Sequence, residues 1–238
     1  MSRDYSHAHR FAVYFAPPTG SRWWDAGSQW LGRCAATDSP LARPPIAGIS
    51  PELQQQFTAE PQRYGWHATL KAPFVLGDGV HLDTLRKKLG VIAASLTAFE
   101  MPPLRVRRLG GFLALCAEGD NGAINTVAST CVTALDPLAA PLSPNELERR
   151  RHKGALTTQE DALLVRWGYP YVHDCYQFHL SLTGNLHGVH PAHLERLEQA
   201  ARAWFEPLPP SRFDGLALFC EPTKGADFVL VERWEMGA

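Results

Sequence analysis

Several features are scarce or absent in this 238-residue sequence, and each absence narrows its class. No apolar run approaches the roughly 20 residues that a transmembrane helix needs. The first ten residues also lack the apolar stretch of a signal peptide. The net charge is only -1, so no broad positive field favours binding to long nucleic acid. We therefore predict a cytoplasmic globular protein with neither a membrane nor a long nucleic acid as partner.

Cofactor and metal signatures are also missing. The five cysteines are scattered without a C-x-x-C pair, and an odd number cannot form a complete set of disulfides. No P-loop or dinucleotide fingerprint occurs. His187, His190 and His193 are spaced three apart, but on a helix they would not share one face, so we interpret them as a surface loop and helix end. The sequence predicts no cofactor and no metal site.

Hydrophobic periodicity and turn residues predict helices and strands along the whole chain. The predicted helices are residues 21–31, 50 toward 57, 82–96, 124–135, 158–167 and 191–205, with a further helix from 143 whose face over 148–153 is charged and solvated. The predicted strands are residues 11–15, 64–74, 111–116, 176–183, 216–219 and 228–231. This mixture and the chain length favour a single α+β domain over residues 1–238.

Two segments of the chain repeat one pattern. Residues 64–70 (YGWHATL) and 176–182 (YQFHLSL) both read Tyr, any residue, aromatic, His, apolar, hydroxyl, Leu. Each precedes an amphipathic helix and then an apolar strand, predicted at residues 108–115 and 212–219. We interpret this as an internal duplication of about 64–115 and 176–219, which gives two pseudo-symmetric lobes.

Strand alternation sorts the side chains of the first copy. Successive residues of a strand point to opposite faces, so His67, Thr69 and Lys71 are predicted to share one face. A duplication with pseudo-twofold symmetry would turn this face toward its counterpart across a central cleft.

The second copy is predicted to present Gln177, His179, Ser181 and Thr183 on its corresponding face. One neutral histidine can take a proton from an attacking water while the other, protonated, gives a proton to a leaving oxygen. The two copies are nearly equivalent, so the sequence assigns neither His67 nor His179 as the base. This pair predicts phosphoester chemistry that requires no metal.

The remaining candidates are ligands of the substrate. Hydroxyls such as Thr69 and Ser181 can donate hydrogen bonds to nonbridging phosphate oxygens. Lys71 is either a phosphate ligand or a solvated residue at a strand end. Gln177 and Thr183 are further candidates on the histidine face. Tyr169 and Tyr171 either stack on a sugar or base or anchor the loop around Pro170.

The two H-x-[ST]-apolar motifs, HATL from His67 and HLSL from His179, resemble the signature of the two-histidine (2H) phosphoesterase superfamily. The wider segments RYGWHATLKAPF and RWGYPYVHDCYQFHLSLTG are similar to a bacterial, DUF1045-like branch associated with phosphonate-metabolism operons. The resemblance implies a bilobal α+β fold with antiparallel sheets and flanking helices around a central cleft. It also implies a small phosphorylated sugar or nucleotide as substrate, namely a nucleoside 2′,3′-cyclic phosphate or a cyclic ribose phosphate.

Two other functional classes stay open on the residues alone. A noncatalytic module would use the same cleft to bind a phosphorylated metabolite without turnover. A metal-dependent phosphohydrolase would use the scattered histidine and aspartate residues, and its activity would be lost on chelation.

Overall fold

The computed structural model describes residues 4–152 and 154–237. Its helices are α1 (Arg22–Leu31), α2 (Pro51–Tyr64), α3 (Leu82–Ala94), α4 (Gly122–Leu135), α5 (Pro144–Arg151), α6 (Thr158–Trp167) and α7 (Pro191–Phe205). Its strands are β1 (Arg10–Phe15), β2 (Arg33–Cys34), β3 (Ser39–Pro40), β4 (Ala68–Phe74), β5 (Phe99–Glu100), β6 (Leu104–Leu109), β7 (Phe112–Ala117), β8 (His179–Ser181), β9 (Arg212–Phe213), β10 (Gly215–Glu221) and β11 (Val229–Glu235). Short 3₁₀ turns occupy Asp136–Leu138 and His173–Cys175.

Two main sheets organise the protein. The larger has the strand order β11-β10-β1-β4 and the smaller has the order β6-β7-β8, with every neighbouring pair antiparallel. Two minor sheets pair β2 with β3 and β5 with β9. The predicted α+β class with antiparallel sheets is therefore confirmed.

The two motif strands lie at the edges of the two main sheets and contact each other. β4 is the last strand of the larger sheet and β8 is the last strand of the smaller one. Strands from the two repeats are also exchanged, because β8 pairs with β7 of the first repeat while β10 of the second repeat lies in the sheet of β4. One buried core spans both sheets, with Leu70, Leu115, Leu180 and Leu218 among its members.

Local capping confirms several predicted helix ends. Ser21 accepts a hydrogen bond from the Trp24 N–H at the start of α1, and Gly32 ends this helix with a φ of 78°. A capping box between Thr157 and Glu160 opens α6. These contacts are local in the chain, which is why the sequence indicates them.

The second helix is longer than the sequence predicts. The helix expected to run from residue 50 toward 57 continues to Tyr64, although Pro61 lies inside it. Proline has no N–H, so it leaves the carbonyl four residues earlier without its helical partner. Here that carbonyl, on Phe57, accepts a hydrogen bond from the Gly184 N–H at 2.8 Å. A tertiary contact thus sustains the helix, and the first motif strand begins at Ala68 rather than at residue 64.

The strands near the second motif also differ from prediction. Residues 108–115 form a hairpin rather than one strand, because Leu109 of β6 pairs with Phe112 of β7 around Gly110, whose φ is 56°. Of the strand expected over residues 176–183, only β8 forms. A 3₁₀ turn at His173–Cys175 ends immediately before this range, and the extended pairing begins only at His179.

Gly27 in α1 provides a test of the packing behind the first motif. A Cβ atom added at Gly27 would lie 2.0 Å from Trp66 Cδ2, whereas one added at Gly90 in α3 would come no closer than 3.7 Å to Trp234. We expect Gly27→Ala to lower the free energy of unfolding by about 1–3 kcal/mol through overpacking. Gly90→Ala, the matched control, should be neutral or stabilising by up to about 1 kcal/mol. Urea unfolding measures both, and equal midpoints for the two variants would contradict this packing.

Candidate functional site

His67 lies in the short connection between α2 and β4. Gly65, with a φ of 76°, turns the chain after the helix, and its carbonyl accepts a hydrogen bond from His67 Nδ1 at 2.9 Å. Because a carbonyl can only accept, Nδ1 carries the proton and Nε2 keeps its lone pair. Trp66, which is 1% exposed, packs into the core. The neighbouring tryptophan therefore anchors the segment while the imidazole presents Nε2 as a base.

His179 is held in the same way in the second motif. It is the first residue of β8, and its Nδ1 donates a hydrogen bond to the Gln177 carbonyl at 2.9 Å. In both motifs the acceptor is the backbone carbonyl two residues before the histidine. The two motifs thus share a tautomer as well as a sequence pattern, and in both histidines Nε2 carries no proton.

Each motif has a hydroxyl two residues after its histidine, Thr69 in the first and Ser181 in the second. Thr69 Oγ1 lies 3.3 Å from His67 Nε2 and donates to it, since Nδ1 already holds the imidazole proton. Ser181 is half-buried in β8, where its Cα faces that of Ala114 in β7. The first motif therefore brings a hydroxyl and a basic nitrogen within hydrogen-bond distance.

The two imidazoles interact electrostatically across the contact between β4 and β8. Burial lowers the pKa of His67 to about 4, the hydrogen bond to Gly65 opposes this shift, and the charge of His179 lowers the pKa further. Burial also lowers the pKa of His179, against the effect of its bond to Gln177. Two like charges disfavour each other, and both pKa values are lowered, so both imidazoles are neutral at neutral pH.

Each histidine contacts an aromatic ring. The His67 ring stacks on the buried Tyr14 of β1, with centroids 3.8 Å apart and planes 26° from parallel. Phe112 of β7 contacts His179, with centroids 5.6 Å apart. These rings contribute to the burial of the two half-buried imidazoles, and burial is the physical cause of their lowered pKa values. Sequence reasoning placed Tyr14 in a strand but gave it no role at the site.

Lys71 does not share the face of His67 and Thr69, and that prediction is wrong. Thr69 lies opposite Tyr14 of β1, but Lys71 lies opposite Val13, so the register shifts between them. Val13 packs in the main core whereas Tyr14 belongs to the smaller cluster on the other face. A bulge in an edge strand thus turns Lys71 away from the histidine row. The alternation of side chains along a regular strand does not predict this bulge.

Thr183 and Gln177, the other candidates near the second motif, differ in burial and in the groups that they bond. Thr183 is buried, where it accepts a hydrogen bond from the Leu113 N–H at 3.0 Å and donates to the Gly184 carbonyl at 2.9 Å. Its hydroxyl therefore bonds backbone groups. Gln177 is exposed, and the group that it contributes to the site is the carbonyl that orients His179.

Tyr169 and Tyr171 lie in the loop after α6. Their rings meet edge to face, with centroids 5.6 Å apart, and Tyr171 is 44% exposed. Burial raises the pKa of Tyr169 to about 12, and this residue lines a cavity of about 570 Å³ between β4 and the α5–α6 segment. Lys71 lines the same cavity. Tyr169 and Lys71 are thus brought together, away from the strand face on which Lys71 was expected.

Two cavity residues escaped the sequence analysis. Arg150 falls in the charged stretch 148–153 predicted to be solvated, but it is half-buried, lines the cavity and donates a hydrogen bond to the Gly168 carbonyl. Lys153 of that stretch lies outside the described residues. Arg10 at the start of β1 also lines the cavity. No periodic signal separates Arg150 from its exposed neighbour Arg149, so only packing identifies it.

The described residues contain no group of three or more histidine, cysteine, aspartate or glutamate side chains placed to hold a metal ion. His190, from the triple-histidine spacing, precedes α7 and accepts a hydrogen bond from the Ala192 N–H through Nδ1. The spacing therefore corresponds to a helix start. Within residues 4–152 and 154–237, no helix combines the length and the apolar character that crossing a bilayer would require.

The fold and the site define an α+β protein with two equivalently held histidines on contacting sheet edges. The chain belongs to the family described as "Protein of unknown function (DUF1045)", whose profile matches residues 69–229. That span includes Thr69, His179 and Ser181, while His67 lies just before it. The predicted resemblance to the DUF1045 family is thereby confirmed.

Two curated relatives are similar to nearly the whole chain. Both are named "Ribose 1,5-bisphosphate phosphokinase PhnN". The relative from Janthinobacterium sp. (strain Marseille) is 40% identical over 94% of this chain and 50% of its own length. The relative from Laribacter hongkongensis (strain HLHK9) is 39% identical over 93% of this chain and 50% of its own length. The chain therefore spans about half the length of these relatives.

One solved structure, described as "Crystal structure of phosphoesterase", aligns with 98% of this chain and 100% of its own. The TM-score is 0.43 and the sequence identity is 12%. A likeness of this size bears on neither the fold nor the activity of this chain.

The lowered pKa of His67 predicts a loss of stability in acid. The half-buried imidazole of His67 has a pKa of about 4, against 6.5 for an ordinary histidine, so between these pH values it binds fewer protons when the protein is folded than when it is unfolded. Its contribution to stability is therefore complete above pH 6.5 and falls by up to about 3 kcal/mol as the pH drops through 4. Unfolding free energies of wild type and His67→Gln across this range measure the difference. Parallel pH profiles for the two proteins would contradict the shift.

Proposed function

We propose that this protein is a metal-independent phosphoesterase of the two-histidine type, which hydrolyses a small cyclic phosphodiester. The observation that carries the proposal is the matched pair of Nδ1 hydrogen bonds at His67 and His179, which leaves both Nε2 atoms without a proton and able to accept one. The contact between β4 and β8 supports a single cleft for both imidazoles. Proton transfer by positioned side chains suffices for phosphoester hydrolysis with no metal in the proposed mechanism.

His67 is the proposed general base. Its imidazole stacks on Tyr14 and is neutral, so Nε2 can accept a proton from the attacking water while the water oxygen bonds to phosphorus. His179 is the proposed general acid. A bound phosphate anion raises the pKa of a neighbouring imidazole, which lets His179 carry a proton on Nε2. As the bond from phosphorus to the ring oxygen breaks, that oxygen receives this proton, and the product is an opened phosphomonoester.

Thr69 and Ser181 are the proposed ligands of the nonbridging phosphate oxygens. Thr69 Oγ1 already lies beside His67 Nε2, so a phosphoryl group placed there replaces the imidazole as acceptor of its hydrogen bond. Ser181 occupies the equivalent place in the second motif. Donors fixed before the reaction stabilise the charge that develops on these oxygens in the transition state.

A phosphorylated ribose is the proposed class of substrate, in phosphonate metabolism and in the cytoplasm. The name of the two relatives refers to a ribose that bears two phosphates. That name also refers to a kinase, but the sequence of this chain contains no P-loop to hold a nucleoside triphosphate, so we do not extend the kinase activity to it. Cyclic esters of ribose phosphates suit the proposed proton transfers, and they contain the phosphorylated ribose that the relatives' name mentions.

The proposal predicts turnover in excess EDTA, measured with a panel of nucleoside 2′,3′-cyclic phosphates and cyclic ribose phosphates. We expect His67→Ala and His179→Ala each to lower kcat/KM by about 10²–10⁴-fold, because each removes a proton-transfer group. His187→Ala, which removes an exposed histidine, is the control and should retain activity. Undiminished turnover in the double variant would refute the roles of both histidines. Saturable binding without turnover would favour the noncatalytic module, and activity lost on chelation would favour a metal-dependent enzyme.

The two hydroxyls give a separate prediction. Thr69→Val and Ser181→Ala should each lower kcat by about 10²-fold, since each removes a donor to the transition state. Thr183→Val also removes a hydroxyl, but one bonded to the backbone, so it should cost about 1–3 kcal/mol of stability and retain kcat in the folded protein. Steady-state kinetics and urea unfolding of the three variants separate the two effects. A larger loss of kcat at Thr183 than at Thr69 would contradict this assignment.

A further inference from the structure

The cavity of about 570 Å³ between β4 and the α5–α6 segment is distinct from the histidine site. Neither histidine and neither hydroxyl of the two motifs lines it. Lys71 reaches it because the register shift in β4 places this residue opposite Val13 rather than in the row of His67 and Thr69. What the cavity binds is therefore a question separate from the proposed reaction.

Lys71 is a buried cation without a bonded partner. It is 4% exposed, and among residues 4–152 and 154–237 no hydrogen bond or ion pair involves its ammonium. The ring of Phe74, which also lines the cavity, lies 5.3 Å from Nζ. Burial lowers the pKa of Lys71, and the carboxylate of Asp136 only partly opposes this shift. A buried ammonium is costly unless a partner supplies hydrogen bonds and opposite charge, and an anion in the cavity is such a partner.

Three arginines also line the cavity, namely Arg10, Arg150 and Arg166. Two of them already bond to carboxylates, Arg10 to the buried Glu221 and Arg166 to Asp136 at 2.8 Å. The third is half-buried and donates instead to the Gly168 carbonyl, a neutral group that orients the guanidinium without neutralising it. This arginine therefore resembles the buried lysine in keeping a charge that a ligand can bind.

The carboxylates of the cavity wall do not cancel this charge. Two carboxylates, Asp136 and Glu146, stand against four cationic side chains. Asp136 is bonded to Arg166, and Glu146 pairs with the exposed Arg149 rather than with Arg150. A concave site with an excess of positive charge attracts an anion.

The rest of the cavity wall indicates the size and character of the ligand. Much of it is apolar, with the side chains of Val75, Val132, Leu142, Leu147, Val165 and Val172. Tyr169 also lines it, and its hydroxyl has no hydrogen-bond partner in the described part of the chain. Mostly apolar pockets of about 300–1,000 Å³ with a few polar groups are typical of sites for small organic molecules. The volume of about 570 Å³ therefore suits an organic molecule with an anionic group.

We propose that this cavity is a second ligand site, separate from the histidine site, which binds a phosphate monoester with an apolar body. Lys71 and Arg150 bind the phosphate, the hydroxyl of Tyr169 donates to one of its oxygens, and the apolar wall contacts the body. A phosphate monoester is favoured over a carboxylate, because its charge of about -1.5 to -2 at pH 7 matches two cations. The inference goes beyond the proposed function and does not depend on it.

Equilibrium binding tests the second site without depending on turnover. The probes are phenyl phosphate, benzoate and phenol, which share a ring and differ in charge, together with inorganic phosphate, which lacks the ring. They are titrated by calorimetry into the full chain carrying His67→Ala and His179→Ala, so that the imidazoles contribute nothing. Charge-assisted hydrogen bonds predict that phenyl phosphate binds about 10–100-fold more tightly than benzoate and phenol. Inorganic phosphate should bind more weakly than phenyl phosphate, because it makes no contact with the apolar wall.

Variants of the cavity locate the bound phosphate. Lys71→Met and Arg150→Met, each added to this background, should weaken the binding of phenyl phosphate by about 10–100-fold. Arg149→Met, one residue away on α5 and 61% exposed, is the matched control and should keep the affinity. Urea unfolding of each variant verifies that it is folded.

Three results would overturn the second site. The first is an affinity for phenyl phosphate that survives both Lys71→Met and Arg150→Met, and the second is equal affinity for phenyl phosphate and phenol. The third is failure of phenyl phosphate to bind the double-histidine variant at millimolar concentration, which would leave the histidine site as the only place for the anion. If one cavity variant does not fold, the other decides, and the comparison of probes requires neither. Binding that is lost in the cavity variants supports the site even if the wild type hydrolyses no cyclic phosphodiester.

Discussion

The candidate site depends on one interaction that occurs twice, the hydrogen bond from a histidine Nδ1 to the carbonyl two residues earlier. At His67 the acceptor is Gly65, and at His179 it is Gln177. Each bond fixes both the tautomer and the direction of the ring, so Nε2 is the nitrogen that can exchange a proton. A histidine free to rotate or to change tautomer would spend part of its time with Nε2 protonated or pointing elsewhere. The hydroxyl of Thr69 would then have no defined hydrogen-bond partner.

The exchange of strands between the two repeats makes this geometry a property of the whole fold. β4 is held by β1, which lies next to β10 of the second repeat, while β8 is held by β7 of the first. Neither histidine strand can move without disturbing strands of the other repeat, because one core lies behind both sheets. The same packing leaves the two imidazoles half-buried, and burial accounts for the lowered pKa values of His67 and His179. Rigidity and proton affinity thus have a common origin.

Local signals predicted most of the helices, including α7 at both ends and α1 from the cap at Ser21 to Gly32. Predictions failed where a distant contact decided the local structure. α2 passes Pro61 because Gly184, more than a hundred residues later, donates to the carbonyl that the proline leaves unbonded. No periodicity within the helix carries that information, since the compensating donor belongs to another part of the chain.

The sequence by itself determined which chemical groups recur and at what spacing, namely an imidazole and a hydroxyl two residues apart in each repeat. This is local information, because alternation along a strand follows from backbone geometry. Only the tertiary structure decided which cations face a common cavity. The bulge opposite Val13 turned Lys71 from the histidine face, and the packing of α5 directed Arg150 inward. Both outcomes depend on the register and docking of segments far apart in the chain, which side-chain periodicity does not encode.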